Sequence, residues 1–419
     1  MRKECVLPII TNDATEKLSV NLPLTTEQEN LVKRIISFTK KHINGDNHAI
    51  FTVYGDAGTG KSVVLAHLFN QIQLAARNDK KSNLYGTKNY FLVNHPEILK
   101  VYKEIAEQEA GLYKKDFTRP TSLINELDKK QAQVDIVVID EAHLLLSHRD
   151  AYNNFTYDNQ LIELIKRSKV VILVFDPYQV MRTKTYWSTA QLEKITHQYL
   201  HEDYHLTHQF RMNASSDLID WFNTFTDEAK IMPFPKNARS GYDFRVFDDA
   251  EKMRQEIVKR NQEVGLSRIL STTGYPSILD GKNHYIEEGK FKMPWDQYNY
   301  TSKPWAEIPE TINEVGSFYT CQGFDLNYTG IILSPPFTQI SGTNKVQIDT
   351  SKFTDTEAFK RRPDLFNNKK LEQVKKQLFM NQVNVLFKRG VYGTYLYAHD
   401  PLLRATLYKY YQNILARDK

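Results

Sequence analysis

Cysteine is almost absent from this chain: Cys5 and Cys321 are the only two in 419 residues. That is too few for a disulfide framework, and no Cys/His cluster of the zinc-finger kind accompanies them. Long apolar runs are missing too. The basic start Met1-Arg2-Lys3 is followed only by the short apolar patch Val6 to Ile10, far below the ~20 residues that span a bilayer. The expectation is a reducing cytoplasm, with neither secretion nor a membrane partner. Internal repeats and low-complexity tracts are lacking, and neither sign of charge dominates. Fifty-five Lys and Arg against 50 Asp and Glu give a net charge of +5, compatible with a polyanionic partner without requiring one.

What is present has the composition of a globular protein, 41% hydrophobic and 25% charged, long enough for two or three domains. After a leader over 1–23, Thr25-Thr26-Glu27-Gln28-Glu29 opens a segment with Leu31, Ile35, Ile36 and Phe38 at helical spacing, which predicts a capped amphipathic helix. Ala49 to Tyr54 reads as a buried strand ending at Gly55, and Lys61 through Arg77 as a long helix. Tyr90 to Val93, Val134 to Ile139 and Val170 to Phe175 read as further buried strands, the last two running into Asp140 and Asp176-Pro177. Buried strands alternating with helices predict a parallel sheet flanked by helices, an α/β domain over 24–212. Ser267 to Thr272, Thr329 to Leu333 and Thr394 to Tyr397 predict a second α/β domain over 213–419, with aperiodic insertions near 274–312 and 335–370.

The first strand and helix are joined by Gly55-Asp56-Ala57-Gly58-Thr59-Gly60-Lys61-Ser62, which matches G-x-x-x-x-G-K-[ST] in the context that pattern requires. Its glycines let backbone N–H groups and a helix N-terminus close on phosphate oxygens. Lys61 is placed to reach the β- and γ-phosphates of ATP, and Ser62 to ligate Mg²⁺. At the end of the Val134 strand, Asp140 is placed to hold Mg²⁺ and Glu141 to orient or deprotonate the attacking water. His143 follows, either coupling nucleotide state to nearby loops or simply hydrogen-bonded.

Asp140-Glu141-Ala142-His143 is shared by more than one helicase superfamily, and the later motifs resemble superfamily 1. Asp176-Pro177-Tyr178-Gln179 resembles motif III, with Phe175 where glycine is usual; the resemblance implies that Gln179 reports on the γ-phosphate. Leu206 to Arg211 resembles motif IV, implying that Phe210 stacks on adenine and Arg211 contacts the γ-phosphate. Thr320 to Asp325 resembles motif V, through Gln322, Gly323 and Asp325, the last standing where Glu is usual. Val385 to Gly390 with Gly393-Thr394-Tyr395 resembles motif VI, with Arg389 as a second arginine finger and Lys388 in place of Thr or Ser. From Leu24 to about Leu403 the order and wording of these motifs resemble the Schlafen-group-3-like DNA/RNA helicase domain family of bacteria. That resemblance implies two tandem RecA-like P-loop domains with ATP in the cleft between them, acting on single- or double-stranded DNA or RNA. It also implies proximity to a separate nuclease or defence-system protein, although no nuclease motif stands in the chain.

Several residues carry two readings. Gln28 is either an adenine contact or the N3 partner of a capping box with Thr25. Arg211 and Arg389 are arginine fingers or surface ion-pair members. Tyr178, Tyr186 and Trp187 either stack on bases or pack in the core. Lys100, Lys103, Lys114 and Lys115 either follow phosphates or form a solvated basic face. The leading expectation is an ATP-dependent nucleic-acid motor; the rival is a nucleotide-dependent switch that never translocates. A phosphate-loop kinase would leave both arginine motifs without a role.

Overall fold

Seven consecutive buried residues make Ala49–Gly55 a strand that is covered on both faces, and this sets the architecture of the first half. The computed structural model describes residues 20–416 except 57, 152–153, 207–211, 278–281, 298, 300, 302–304, 322–324, 357, 361 and 363–367. The first compact unit comprises residues 18–211 and 355–385. It runs α1 (Thr26–His42), β1 (Ala49–Gly55), α2 (Lys61–Asn78), β2 (Asn89–Val93), α3 (Pro96–Gln108), β3 (Phe117–Thr118), α4 (Pro120–Lys130), β4 (Val134–Asp140), α5 (Gln160–Lys166), β5 (Ser168–Phe175), α6 (Thr189–Thr196) and β6 (Leu200–Leu206).

These strands form one sheet in the order β3-β2-β4-β5-β1-β6, and every pairing is parallel. Phe51, Val53, Phe91, Val93, Ile136 and Val138 on one face pack with Leu31 and Ile35 of α1, Leu65, Phe69 and Ile72 of α2, and Tyr102 of α3. The alternate strand residues Ile50, Leu92, Val137, Val171 and Leu173 are equally buried. On that side α5 packs against β5 and α4 against α5. Each fully buried aliphatic or aromatic side chain contributes about 1.5–3 kcal/mol, so the two-sided apolar strands supply most of this unit's stability. The expected parallel sheet flanked by helices is observed. β6 is an edge strand, half exposed along its length, so it mixes polar with apolar residues and carries no continuous apolar run.

The second unit holds 212–354 and 386–419 among the described residues. Its elements are α7 (Ser216–Glu228), β7 (Asp243–Val246), α8 (Ala250–Val264), β8 (Ser267–Ser271), β9 (His284–Glu288), β10 (Phe291–Trp295), β11 (Val315–Gly316), α9 (Phe318–Cys321), β12 (Leu326–Leu333), β13 (Phe337–Gln339) and β14 (Val346–Ile348). After α10 (Asn368–Phe387), which lies mostly in the first unit, β15 (Gly390–Ala398) and α11 (Pro401–Leu415) complete it. Its sheet order is β7-β15-β12-β8-β11-β10-β9, parallel except for the antiparallel β9/β10 pair. The expected insertion near 274–312 therefore contains a hairpin that extends the sheet, and the one near 335–370 contains the separate β13/β14 hairpin.

The expected boundary at 212/213 meets a chain that crosses back. Residues 355–385 pack in the first unit, where the Arg362 guanidinium donates to the carbonyls of Thr183 and Tyr186 and to the Ser147 hydroxyl. Asn381 donates to the Val180 carbonyl at 2.8 Å. Side-chain amides aimed at distant backbone carbonyls leave no periodic trace in a sequence, so linear pattern could not place this segment.

Candidate functional site

The carboxyl ends of three adjacent parallel strands, β4, β5 and β1, lead into Asp140, Asp176 and the phosphate loop. This edge is where open α/β sheets place ligands. The loop can form only with glycine at its tight points. Gly58 and Gly60 have φ of +86° and +76°, and a Cβ at Gly55 would meet the Thr59 hydroxyl at 2.8 Å. α2 then starts at Lys61 with no side-chain cap and no acidic residue in its first turn, so its N–H groups and positive dipole end meet no carboxylate of their own turn.

Lys61 is buried. Its Nζ donates to the carbonyls of Gly55 at 2.8 Å and Asp56 at 2.6 Å, and reaches Asp176 Oδ2 at 3.3 Å. Asp176 is fully buried and also accepts from Gln179 Nε2 at 2.7 Å and from the Tyr178 N–H at 3.0 Å. Lys61, Asp176 and Gln179 thus form one network. The backbone bearing Gln179 is held from behind by Asn381, which donates to Pro177 and Val180, and by Gln382, which donates to Met181.

Asp140 is fully buried. Its Oδ2 accepts from the Tyr102 hydroxyl at 2.7 Å and its Oδ1 from the Glu141 N–H at 2.9 Å. Burial, then the neighbouring Glu141 charge, raise its pKa to about 6 against partial relief from Tyr102 and the Ser62 hydroxyl. Ser62 and Asp140, the expected metal pair, are therefore together. Glu141 has φ +52°, a left-handed conformation unusual for a non-glycine residue and typical of functional sites. His143 is completely buried, and burial lowers its pKa to about 4 despite the nearby Asp176 and Asp140 charges. It is neutral at physiological pH. Its Nε2 lies 3.4 Å from Glu141 Oε2, and neither ring nitrogen hydrogen-bonds among the described residues.

The residues present fit a magnesium–nucleotide group on three observations: a glycine-shaped loop ahead of an uncapped helix, a buried carboxylate with no ion-pair partner among the described residues, and beside it a buried imidazole with neither nitrogen hydrogen-bonded among them. Tyr102, on α3, is the site residue that motif reading missed; it lies between Phe91 and Phe117 in the core and only tertiary packing brings it to Asp140.

Other expected residues fall differently. Gln28 forms the capping box: its side-chain oxygen accepts from the Thr25 N–H at 3.0 Å and its own N–H donates to the Thr25 hydroxyl at 3.3 Å. Trp187 is buried, and its indole N–H donates to the Leu145 carbonyl at 2.8 Å. It is a core residue and offers no ring to a base. Tyr178 and Tyr186 are half-buried. Lys114 pairs with Glu107 and Lys115 lies over the Tyr113 ring, while Lys100 is exposed and Lys103 half-buried. In the second unit Arg389 is buried and Asp325 half-buried. The Leu326 N–H donates to the Arg389 carbonyl, which brings the two segments side by side at the start of β12 and β15. Ala57, Phe210, Arg211, Gln322 and Gly323 lie outside the described residues. Among the described residues no helix is long and apolar enough to cross a membrane.

Parallel sheet, glycine loop, buried lysine and paired strand-end acids define a phosphate-loop protein of the α/β class. The chain belongs to the Schlafen group 3, DNA/RNA helicase domain family, whose model matches residues 48–400. It is 37% identical over 428 residues to YPL245W of Saccharomyces cerevisiae, a protein described as uncharacterized, with 96% of this chain and 93% of that protein covered. That relative is eukaryotic, so the expected bacterial restriction finds no support. Among solved structures the chain is similar to the Pif1 helicase from Candida albicans, at TM-score 0.36 and 12% identity over 94% of this chain and all of that one. It is also similar to Drosophila ORC bound to DNA, at TM-score 0.26 and 16% identity over 48% and 50% of the two chains. Scores this low add nothing to the fold seen directly.

Proposed function

We propose that the chain hydrolyses ATP with Mg²⁺ and couples that hydrolysis to movement on DNA or RNA. The observation that carries the reading is the convergence of Lys61, Ser62, Asp140, Glu141 and Gln179 on one sheet edge, with the two buried acids arranged for different work. Asp176 holds Lys61 and Gln179, whereas Asp140, joined to Ser62, keeps a raised pKa that a divalent cation would reverse. Ser62 and Asp140 would hold Mg²⁺, which neutralises charge on the β- and γ-phosphate oxygens when bound. Lys61 exchanges its loop carbonyls for phosphate oxygens. Glu141 orients water and accepts its proton, and the neutral His143 beside it adds no competing positive charge. Gln179, fixed by Asp176, senses the terminal phosphate. The motif-derived Arg211 and Arg389 are assigned to charge that develops in the transition state, and Phe210, Gln322, Gly323 and Asp325 to nucleotide contacts.

The nucleic-acid half of the proposal rests on family membership. The burial of Trp187 removes one expected base platform and favours the switch reading enough to make it the alternative. Phosphate release measured with and without single-stranded DNA and RNA separates the two. A motor shows a higher kcat with strand, declining as salt rises because phosphate contacts release counterions. No stimulation, together with no binding in a low-salt anisotropy titration, leaves a nucleotide switch.

A further inference from the structure

β6 lies at the sheet edge beside β1 and alternates its side chains. Tyr204 and Leu206 join the core beneath α1, so His201, Asp203 and His205 occupy the opposite face. α6 ends at Thr196 with His197 as its C-cap, and a tight connection returns the chain to His201. The His197 and His201 rings stack at 4.1 Å between centroids, 16° apart. His197 Nε2 stands 3.7 Å from Asp203 Oδ2. One ligand atom from each of the three residues lies within 4.8 Å of the others. His201 Nδ1 is 3.3 Å from the Tyr199 carbonyl; that contact puts the proton on Nδ1 and leaves the Nε2 lone pair available, as carbonyl-oriented metal ligands do.

We infer that His197, His201 and Asp203 form a site for a divalent transition metal of the Zn²⁺ type, closing the end of α6 onto the edge strand. The stacked rings put two imidazole nitrogens on one side of the edge strand, and a bound cation takes each as a neutral donor. Two nitrogens and one carboxylate oxygen suit Zn²⁺, Co²⁺ or Ni²⁺ and not Mg²⁺ or Ca²⁺, which demand oxygen. Bonds of about 2.0–2.1 Å put tetrahedral ligand atoms about 3.3 Å apart. The 3.7 Å pair is near that spacing, and rotation of the half-exposed His197 ring closes the rest.

A second observation lies behind the cluster. Asp203 Oδ1 and the Tyr54 hydroxyl are buried without hydrogen-bond partners among the described residues. Tyr54 is 6% exposed and stacks on His205 at 4.7 Å. Burial first, and then the Asp203 charge, push its ionisation above the usual tyrosine range. The carboxylate next to these histidines thus keeps one buried oxygen without a donor among the described residues, a lack that a cation relieves. Phe51 pairs with Glu202 and Gly55 with Leu206, so the cluster sits at the amino end of β6, away from the phosphate loop. Its metal is therefore a structural clip distinct from the magnesium assigned to Ser62 and Asp140.

The test uses the full-length, tag-free protein after chelator treatment, titrated with Zn²⁺ by calorimetry and with Co²⁺ by visible absorption. Wild type should bind one ion per chain, and Asp140→Asn should bind it equally. His197→Ala/His201→Ala should weaken binding by at least 10²-fold, and Asp203→Asn by 10- to 100-fold. Circular dichroism melts without metal should match wild type for the double variant, since both rings are exposed, and only wild type should gain melting temperature with Zn²⁺. Equal Zn²⁺ affinity in wild type and the double variant, no stoichiometric binding by wild type, or loss of the ion in Asp140→Asn alone would each overturn the site.

Discussion

The two sheets treat buried polar groups in opposite ways. In the first, the central strands β1, β4 and β5 are almost wholly apolar inside and lead at their carboxyl ends into buried charged groups, where Asp140 keeps a raised pKa and His143 has neither nitrogen bonded among the described residues. In the second, two clusters of charged and phenolic groups between the strands satisfy one another. Glu288 on β9 accepts from Tyr275 at 2.8 Å and Tyr397 at 3.1 Å and pairs with His399. Burial alone would raise its pKa, yet those partners hold it below the usual carboxylate range. Asp243 likewise takes Arg245, Arg260 and the Tyr395 hydroxyl. A buried polar group left short of partners is a binding device, and one that is fully partnered is a structural device. Substitution should therefore cost activity in the first sheet and stability in the second.

The sharpest break is expected at the phosphate loop. Lys61→Ala should abolish measurable hydrolysis, and Glu141→Gln should bind ATP normally while lowering kcat by at least about 10³-fold. Phosphate release paired with binding of a fluorescent ATP analogue reads both. A Glu141→Gln protein turning over at the wild-type rate would remove that residue from the chemistry. The second sheet should answer in the other currency. Glu288→Ala strands two tyrosine hydroxyls and an imidazole, and should destabilise the protein by about 2–4 kcal/mol in urea unfolding, with ATP affinity unchanged. A large loss of ATP affinity at unchanged stability would make Glu288 a ligand group and collapse the contrast.

The first sheet was legible because β1, β4 and β5 are buried on both faces, so Val134 to Ile139 and Val170 to Phe175 announce themselves as apolar runs, and because Gly55 to Ser62 has few other uses. Edge strands hide. Leu200–Leu206 mixes histidines and acids because one side faces solvent, and with it the spacing of His197, His201 and Asp203 went unread. Tyr102 and Asn381 act through contacts between distant segments, which no local period records. Aromatic residues misled for a related reason: Trp187 has the same one-dimensional appearance whether its ring meets a base or, as here, the carbonyl of Leu145.

The smallest effect tests the contrast most directly, because it runs opposite to the usual harm of a site mutation. Asp140 has a folded pKa of about 6 against about 3.9 in an unfolded chain. The folded state therefore holds the proton more tightly. Stability owed to this group is fully present below about pH 4 and is lost as pH rises through 6. Asp140→Asn removes the buried charge and keeps an oxygen for the Tyr102 hydroxyl, at the cost of the acceptor for the Glu141 N–H. In chelator, without nucleotide, the variant should be more stable than wild type by about 1–3 kcal/mol at pH 8, and the difference should vanish near pH 4. His143, with its pKa lowered to about 4, contributes the opposite slope, losing stability as pH falls below its unfolded value of about 6.5; it is common to both proteins and largely cancels. Adding Mg²⁺ and ATP should reverse the order, since only the carboxylate gains from the cation. A variant less stable than wild type at pH 8 in chelator would make Asp140 a partnered structural acid like Glu288, and the division between the two sheets would fail at the residue on which it most depends.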